Sequence, residues 1–313
     1  MEKTKMQRRY CLITPCRNEE QYARRTLESV VNQTLVPTLW VIVDDGSTDS
    51  TPQILEDYAK RYSYIQIVRR PDRGVRKVGP GVIEAFYEGY ATIKPADFDY
   101  VCKFDLDLEM PLRYFETLIE RMESQPRLGT CSGKPFYPDP DTGKLISEMC
   151  GDEMSVGMTK FYRVECFEEI GGFVREVMWD GIDSHTCRMK GWLAKSWDEP
   201  DLRFLHLRAM GSSHKGLLTG RQRHGFGQYF MGTWFPYMVF SALYRMTRPP
   251  LIVGGGAMLW GYIKSWSKVL PRYENDEFVK FLRAYQKRCL LVGKKRATAE
   301  IEAKILSAYP QSK

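Results

Sequence analysis

The first third of the chain alternates segments typical of β-strands with segments typical of amphipathic helices. The strand-like segments are short, apolar and rich in β-branched residues, and they occupy 10–15, 39–45, 64–68 and 100–104. The segments between them carry apolar residues three or four positions apart, as one face of a helix requires, and they occupy 19–33, 52–62 and 81–93. This alternation predicts an α/β fold with a mostly parallel, Rossmann-like central sheet and right-handed crossovers.

Polar clusters follow three of the predicted strands. They are the sequences TPCRNEE (14–20), DDGSTD (44–49) and DLDLEMP (105–111). In open parallel sheets, ligands bind outside the carboxyl ends of the strands. We therefore expect the three clusters to converge on one edge of the sheet and to form a ligand site there.

The third cluster places Asp105, Asp107 and Glu109 on alternate residues. In an extended chain alternate side chains point the same way, so the three carboxylates would repel one another. A hard divalent cation such as Mg²⁺ or Mn²⁺ takes oxygen ligands and would relieve the repulsion. One aspartate can serve the cation and the other a sugar hydroxyl, while Glu109 shapes the turn before Pro111. A solvated acidic loop would show the same pattern.

The chain is basic, with 46 Lys and Arg against 39 Asp and Glu and a net charge of +7. The excess is concentrated in 69–77 and in the region after Leu202. Such patches suit phosphate groups or an anionic surface, although a solvated basic face has the same composition. A nucleic-acid-binding module is disfavoured, because no binding motif is recognisable and the acidic clusters would repel phosphates. We expect no nucleic-acid partner.

Two segments near the C-terminus, 225–244 and 249–263, contain no charged residue. Neither suits a membrane-spanning helix, because Pro236 interrupts the first and the second is short and contains three consecutive glycines. Basic residues border both segments, namely Arg223, Arg245, Arg248, Lys264 and Lys268. The pattern indicates a monotopic contact with a membrane surface. A buried helical hairpin or an interface in a homo-oligomer would also explain it.

The three clusters also carry a family resemblance. The order TPCRNEE, then ESVVNQTLVPTLWVIVDDGSTDST, then FDLDLEMP resembles the inverting family 2 glycosyltransferases with the GT-A nucleotide-diphospho-sugar fold, over roughly residues 9–192. The resemblance implies transfer of a sugar, with inversion, from a nucleotide-diphosphate donor, with Mn²⁺ or Mg²⁺ as cofactor. The apolar C-terminal segments indicate a lipid-linked or polysaccharide acceptor.

The resemblance also implies roles for individual residues. Those expected to bind the nucleotide-sugar are Thr14, Pro15, Arg17, Asn18, Glu19, Asp45, Arg76, Lys77 and Asp105. Asp107 would bind the metal, and His206 or His214 would complete its shell. Positive charge for the diphosphate or the acceptor is expected from Arg208, His214, Arg221 and Arg223. The stretch GRQRHG (220–225) lacks the spacing and the Trp of the QxxRW element of processive members, so processivity is not predicted.

An inverting transfer requires a general base for the acceptor hydroxyl. In the family this is an acidic residue at the entry to a late helix, and WDGIDSHTCRMKGW (179–192) fits that place. The spacing departs from the usual ED-x-D pattern, so both Asp180 and Asp183 are candidates. Asp180 is favoured by its distance to Gly191, and Asp183 could instead be a helix cap.

The predicted organisation is a GT-A catalytic domain at 1–210, with a donor half at 9–111 and an acceptor half at 112–210, followed by a helical region at 211–313. The polar, basic start MEKTKMQRRY is unlike a cleavable signal peptide, and the eight cysteines form no CxxC pair. We expect a cytoplasmic protein, peripheral at the inner face of the cell membrane.

Two alternatives share much of this pattern. A nucleotidyltransferase of similar fold would carry a Gly-rich, Lys-bearing loop after the first strand, whereas TPCRNEE is acidic and lacks glycine. The second alternative is a soluble glycosyltransferase with a protein or small-molecule acceptor.

Overall fold

The structure is a computed structural model that describes residues 8–72, 74, 79–139, 142–208, 217–248 and 250–309. The chain divides into two compact units. The first comprises Met1–Lys77, Gly81–Gly172 and Trp192–Arg208, and the second comprises Val78–Pro80, Phe173–Gly191 and Ala209–Lys313. The sequence predicts a domain boundary at residue 210, whereas this division places 173–191 with the C-terminal helices. The physical reason is packing, since Ile182 lies in one apolar cluster with Phe230 and Leu282.

The first unit is built on two sheets. Its strands are β1 (Tyr10–Cys16), β2 (Leu39–Asp44), β3 (Ile65–Arg69), β4 (Tyr100–Phe104), β5 (Leu108–Glu109), β6 (Leu128–Ser132), β7 (Lys134–Pro138), β8 (Leu145–Ser147), β9 (Thr159–Arg163), β10 (Leu193–Ser196) and β11 (Arg203–His206). The larger sheet has the order β10-β6-β9-β4-β1-β2-β3 and the smaller one β5-β11-β7-β8. In the larger sheet β9 runs antiparallel to β4 and β6, and the other pairs are parallel.

The helices of this unit are α1 (Ala23–Val31), α2 (Thr51–Arg61), α3 (Pro80–Tyr90), α4 (Tyr114–Ser124) and α5 (Val164–Glu169). The first three connect consecutive strands of the sheet, as the alternation in the sequence predicts. Between the elements lies an aromatic core, in which Tyr10 packs on Phe115 with ring centroids 5.2 Å apart and Tyr100 packs on Phe161 at 5.2 Å. These side chains are completely buried, so they fix the positions of β1 and β4.

The strand pairing places the polar clusters at one edge of the larger sheet. Cys16 at the end of β1 pairs with Asp44 at the end of β2. Beyond β4 the chain enters the smaller sheet, where β5 pairs antiparallel with β11 and aligns Leu108 with His206. The Leu207 N–H donates to the Asp107 carbonyl at 2.9 Å. The end of β11 therefore lies next to the acidic motif.

The second unit is helical. Its helices are α6 (Trp179–Met189), α7 (Leu217–Phe230), α8 (Phe235–Met246), α9 (Val253–Ser267), α10 (Asp276–Val292) and α11 (Lys294–Ala308). Helices α7 and α9 cross closely, because a Cβ at Gly225 would come within 1.9 Å of the Met258 carbonyl oxygen. Within the described ranges, none of the helices is long and apolar enough to cross a membrane.

Candidate active site

The loop after β1 is tied to the loop after β2 by side-chain hydrogen bonds. Asn18 has a left-handed backbone, with φ at 53°, which asparagine tolerates better than most residues. Its side-chain oxygen accepts from the Thr48 N–H at 2.8 Å, and its own N–H donates to the Ser47 hydroxyl at 2.9 Å. Asp44 accepts from the Ser47 N–H at 2.9 Å. The Asn18 side chain therefore shapes this edge of the site.

Asp45 lies between two arginines. Arg70 donates to the Asp45 carboxylate at 2.9 Å, and Arg17 donates to the Asp45 backbone carbonyl at 2.9 Å and to the Asp72 carboxylate at 2.6 Å. The neighbouring Gly46 has φ at 73°, and a Cβ there would lie 2.5 Å from the Asp72 Cα. Only glycine fits this turn. The Asp45 carboxylate is thus held in place with its charge balanced.

Asp105 pairs with the buried ammonium group of Lys103, which also donates to the Gly157 carbonyl at 3.0 Å. Burial raises the pKa of Asp105, and the charge of Lys103 opposes the rise. The Asp105 side chain is nevertheless 28% exposed, so a ligand hydroxyl can reach it.

Asp107 is at the centre of a buried ion network. Its Oδ2 lies 2.6 Å from Nε of Arg208, and an Nη of Arg208 lies 2.9 Å from Oε1 of Glu19. The Asp107 and Glu19 side chains are both 4% exposed. Buried charges of this kind are stable only when they are paired. The network joins the polar cluster after β1 to the acidic motif after β4, which the sequence predicts to converge.

His206 lies between two carboxylates. Its Nε2 is 3.5 Å from Asp107 Oδ2, and its Nδ1 is 2.8 Å from Glu148 Oε2. Burial alone would lower the pKa of His206, but the hydrogen bonds to Asp107 and Glu148 raise it to about 9. Burial would likewise raise the pKa of Asp107, but the hydrogen bond from His206 and the charge of Arg208 lower it. Before any cation binds, Asp107 and His206 are therefore both ionised at neutral pH.

The donor set at Asp107 fits a divalent cation. Asp107 Oδ1 is buried and has no hydrogen-bond partner among the described residues. The part of the chain that the structure describes contains no group of three or more His, Cys, Asp or Glu side chains placed to hold a metal. Asp107 and His206 would thus supply two ligands, and diphosphate oxygens and water the others, as is usual for Mg²⁺. The contact of Glu148 with Nδ1 of His206 resembles the carboxylate–histidine arrangement that orients metal ligands.

The remaining predicted donor residues differ in their surroundings. Thr14 is completely buried, and its hydroxyl accepts from the Trp40 indole N–H at 2.8 Å, so its side chain packs in the sheet. Any contact of Thr14 with a ligand would have to be made by the backbone. Pro15 is half-buried in β1. Arg76, Lys77 and His214 lie outside the described residues.

The candidates for the general base and for acceptor contacts lie in the second unit. Asp180 is half-buried in the first turn of α6, and Asp183 is 2% exposed one turn later. The helix starts after Met178, which has φ at 65°, so Asp183 is not its cap. Asp183 accepts from the Ser184 hydroxyl at 3.2 Å. Of the two carboxylates, Asp180 is the more accessible.

Helix α7 adds positive charge in the same unit. It carries Arg221 and Arg223, and Nε of Arg221 is buried with no hydrogen-bond partner within the described ranges. Burial and the charge of Arg245 lower the pKa of Arg221. Burial lowers the pKa of His224, while the charge of Asp180 acts in the opposite direction. Helices α6, α7 and α8 therefore bring a carboxylate, an imidazole and two guanidinium groups within electrostatic range.

Three residues of the first unit were not identified from the sequence. Arg70 and Lys103 balance Asp45 and Asp105, and Glu148 orients His206. Lys103 lies two residues before Asp105, so its position in the sequence could have identified it as the partner of Asp105. No sequence pattern identifies Glu148, because it lies in an aperiodic segment 58 residues from its partner His206.

The His206 network makes a prediction for stability. A histidine whose pKa is raised in the folded state stabilises the fold fully below its ordinary pKa of 6.5, and this contribution is lost as the pH rises through about 9. We expect the free energy of unfolding in EDTA to fall by about 2 kcal/mol between pH 6.5 and pH 9.5. Urea denaturation at the two pH values measures the difference, which should be absent from His206→Gln. Equal pH dependence in both proteins would contradict the assignment.

Comparison with known proteins shows the family of this protein. Residues 11–179, more than half of the chain, match the family model described as glycosyl transferase family 2, and the protein belongs to this family of glycosyltransferases. It is 27% identical over 171 residues to the putative glycosyltransferase EpsH of Bacillus subtilis (strain 168), covering 55% of this chain and 45% of that protein. It is 29% identical over 123 residues to poly-beta-1,6-N-acetyl-D-glucosamine synthase of Staphylococcus epidermidis, covering 39% of this chain and 27% of that protein. The matches span less than half the length of these curated relatives.

Solved structures show the same fold. GalNAc-T7, solved with UDP, GalNAc and Mn²⁺, aligns with a TM-score of 0.60 at 16% identity and covers 98% of this chain and 59% of that chain. Mannosyltransferase PcManGT from Pyrobaculum calidifontis, solved with GDP-Man and Mn²⁺, aligns with a TM-score of 0.51 at 16% identity and covers 98% of this chain and 89% of that chain. The predicted GT-A fold and glycosyltransferase class are confirmed.

Proposed function

We propose that this glycosyltransferase moves a sugar, with inversion, from a nucleotide-diphosphate donor to a lipid-linked or polysaccharide acceptor at the cytoplasmic face of the membrane. The observation that carries the proposal is the buried network of Glu19, Arg208, Asp107 and His206 at the carboxyl edge of the sheet, with an oxygen of Asp107 that has no hydrogen-bond partner among the described residues. Such an edge is where α/β sheets bind nucleotides.

The donor is held by residues of the first unit. Asp45 and Arg17 lie at the ends of β2 and β1, where they bind the base and ribose. Asp105 is partly exposed and accepts a hydrogen bond from a hydroxyl of the ribose or the sugar. Solved neighbours bind GDP-Man or UDP-GlcNAc, which supports a nucleotide-sugar but does not select its base.

Asp107 and His206 would hold Mn²⁺ or Mg²⁺. The cation, when bound, supplies Lewis-acid stabilisation of the negative charge on the diphosphate. Arg208 contributes a guanidinium group beside the same carboxylate, and its planar fork suits phosphate oxygens. Glu148 keeps the His206 ring oriented through Nδ1.

A carboxylate of α6 acts as general base. As the acceptor oxygen forms its bond to the anomeric carbon, the bond from that carbon to the diphosphate breaks, and the acceptor proton passes to the carboxylate. We assign this role to Asp180, with Asp183 as the alternative, because Asp183 is 2% exposed. Attack opposite to the leaving group inverts the anomeric configuration.

The acceptor carries an anionic group or an extended glycan. Arg221 has a buried Nε without a hydrogen-bond partner in the described part of the chain, and it lies near Arg245, so the pair attracts an anion such as a lipid-linked phosphate. The resemblance to a poly-beta-1,6-N-acetyl-D-glucosamine synthase supports a polysaccharide acceptor equally. Both acceptor classes are consistent with work at a membrane.

A donor panel tests the reaction. We expect one of UDP-, GDP- or dTDP-sugars to raise the melting temperature of the full chain by several degrees when Mn²⁺ is present, and to be hydrolysed slowly, since ligand binding stabilises the folded state. Nucleoside monophosphates serve as controls, because they lack the diphosphate. If no nucleotide-sugar shifts the melting temperature with either Mn²⁺ or Mg²⁺, the proposal fails.

A further inference from the structure

We propose that the connection between α8 and α9 docks on an anionic phospholipid bilayer. The docking surface consists of the exposed apolar side chains Leu243, Tyr244, Leu251, Ile252, Val253 and Trp260. The inference deepens the proposed function by naming the membrane-binding element and its lipid, and it involves none of the candidate catalytic residues.

The tip of this surface, formed by Leu251, Ile252 and Val253, is strongly exposed. Leu251 is 60% exposed, Ile252 70%, Val253 54% and Leu243 56%. Leu251, Ile252 and Val253 are consecutive, and the Ile252 N–H donates to the Met246 carbonyl at 3.0 Å, which places them beside the last turn of α8, the turn that carries Leu243. Single exposed apolar residues are common on soluble proteins, whereas contiguous groups mark a binding surface.

The side chains on one face of α9 change from aliphatic to aromatic to basic along the helix. Val253 and Trp260 are seven residues, or two turns, apart, so they lie on the same face about 10 Å apart along the axis. Lys264, one turn further, and Lys268 are exposed and continue this side of the helix. Aliphatic side chains suit the acyl region, Trp the headgroup level and Lys the phosphates. The order matches a shallow insertion of the tip.

Charge complementarity selects the lipid. Residues 202–273 contain ten Lys and Arg and no Asp or Glu. Three of these cations follow the exposed apolar residues in the sequence, namely Arg248, Lys264 and Lys268. Each basic residue close to an anionic bilayer strengthens binding by about fivefold. A second copy of the chain fits less well, because a symmetric contact would bring these cations together with no nearby carboxylate on this segment.

Vesicle flotation of the full chain tests the inference. We expect binding to vesicles of phosphatidylcholine with one quarter phosphatidylglycerol and at least about tenfold weaker binding to pure phosphatidylcholine. Leu251→Ser with Ile252→Ser should weaken binding to the anionic vesicles about tenfold or more, because less apolar area is buried. Lys264→Gln with Lys268→Gln should weaken it about 25-fold.

Two double variants serve as matched controls. Leu291→Ser with Leu306→Ser removes exposed apolar side chains from α10 and α11, and Lys294→Gln with Lys295→Gln removes two exposed charges from α11. Both should bind vesicles like the unmodified chain. Equal loss in the controls, binding indifferent to phosphatidylglycerol, or a change from dimer to monomer in the tip variant would each overturn the inference. Donor-induced thermal shifts in the same variants report on the proposed reaction separately.

Discussion

Asp107→Asn is expected to lower donor hydrolysis by about 10³-fold and to abolish the stabilisation of the donor complex by Mn²⁺. Asp107 Oδ1 is buried without a hydrogen-bond partner among the described residues, and an amide oxygen in its place would be a neutral and weaker cation ligand. The substitution also removes the charge that faces Arg208 at 2.6 Å. The measurements are hydrolysis of the donor with the largest thermal shift, and melting temperature during a Mn²⁺ titration.

The acidic motif offers its own control for this prediction. Glu109 belongs to the same motif but is 38% exposed and paired with Arg25, so Glu109→Gln should keep hydrolysis within about twofold. Glu148→Gln should give an intermediate result, with Mn²⁺ affinity reduced about 10- to 100-fold, because Glu148 acts only through the orientation of His206. A folded Asp107→Asn protein that responds to Mn²⁺ like the unmodified chain would refute the metal assignment. Circular dichroism establishes that each variant is folded.

The first four strands could be predicted from the sequence because β1, β2 and β4 are buried on both faces and the edge strand β3 is a short, largely apolar segment. Such strands are continuous apolar runs, so β1, β2, β3 and β4 begin and end within about one residue of the predicted segments. The antiparallel β9 and the smaller sheet were not predicted. Apart from β5, a two-residue strand at Leu108–Glu109, their residues lie in 129–206, where strands of three to five residues alternate with loops and leave no period to detect.

The site was predictable to the extent that its residues follow strands. Asp45, Asp105 and Asp107 come directly after β2 and β4, and the topology brings them to the edge that the strand order implies. The pairing of Arg208 with Glu19 spans 189 residues, and no local pattern encodes such a contact. No sequence pattern marks the start of α6 either, because Trp179 follows a left-handed Met178 with no capping side chain.

Asp180→Asn is expected to lower the turnover of donor hydrolysis, in which water replaces the acceptor, by about 10²- to 10⁴-fold. The asparagine keeps the size of the side chain and one acceptor oxygen but accepts no proton. Asp180 lies in the second unit and not among the residues assigned to the donor, so the donor-induced thermal shift should be unchanged. The combination of lost turnover and retained donor affinity distinguishes a general base from a binding residue.

Asp183→Asn separates the two candidates on α6. Asp183 is 2% exposed and accepts from Ser184, so its replacement should lower the melting temperature while turnover of the folded fraction stays within about tenfold. Glu277→Gln, at an exposed position in the first turn of α10, controls for the loss of a carboxylate near a helix start. If Asp183→Asn loses turnover and Asp180→Asn does not, the base is Asp183. In that case its burial would have to be relieved when the acceptor binds, because a base must come within hydrogen-bond reach of the hydroxyl that it deprotonates.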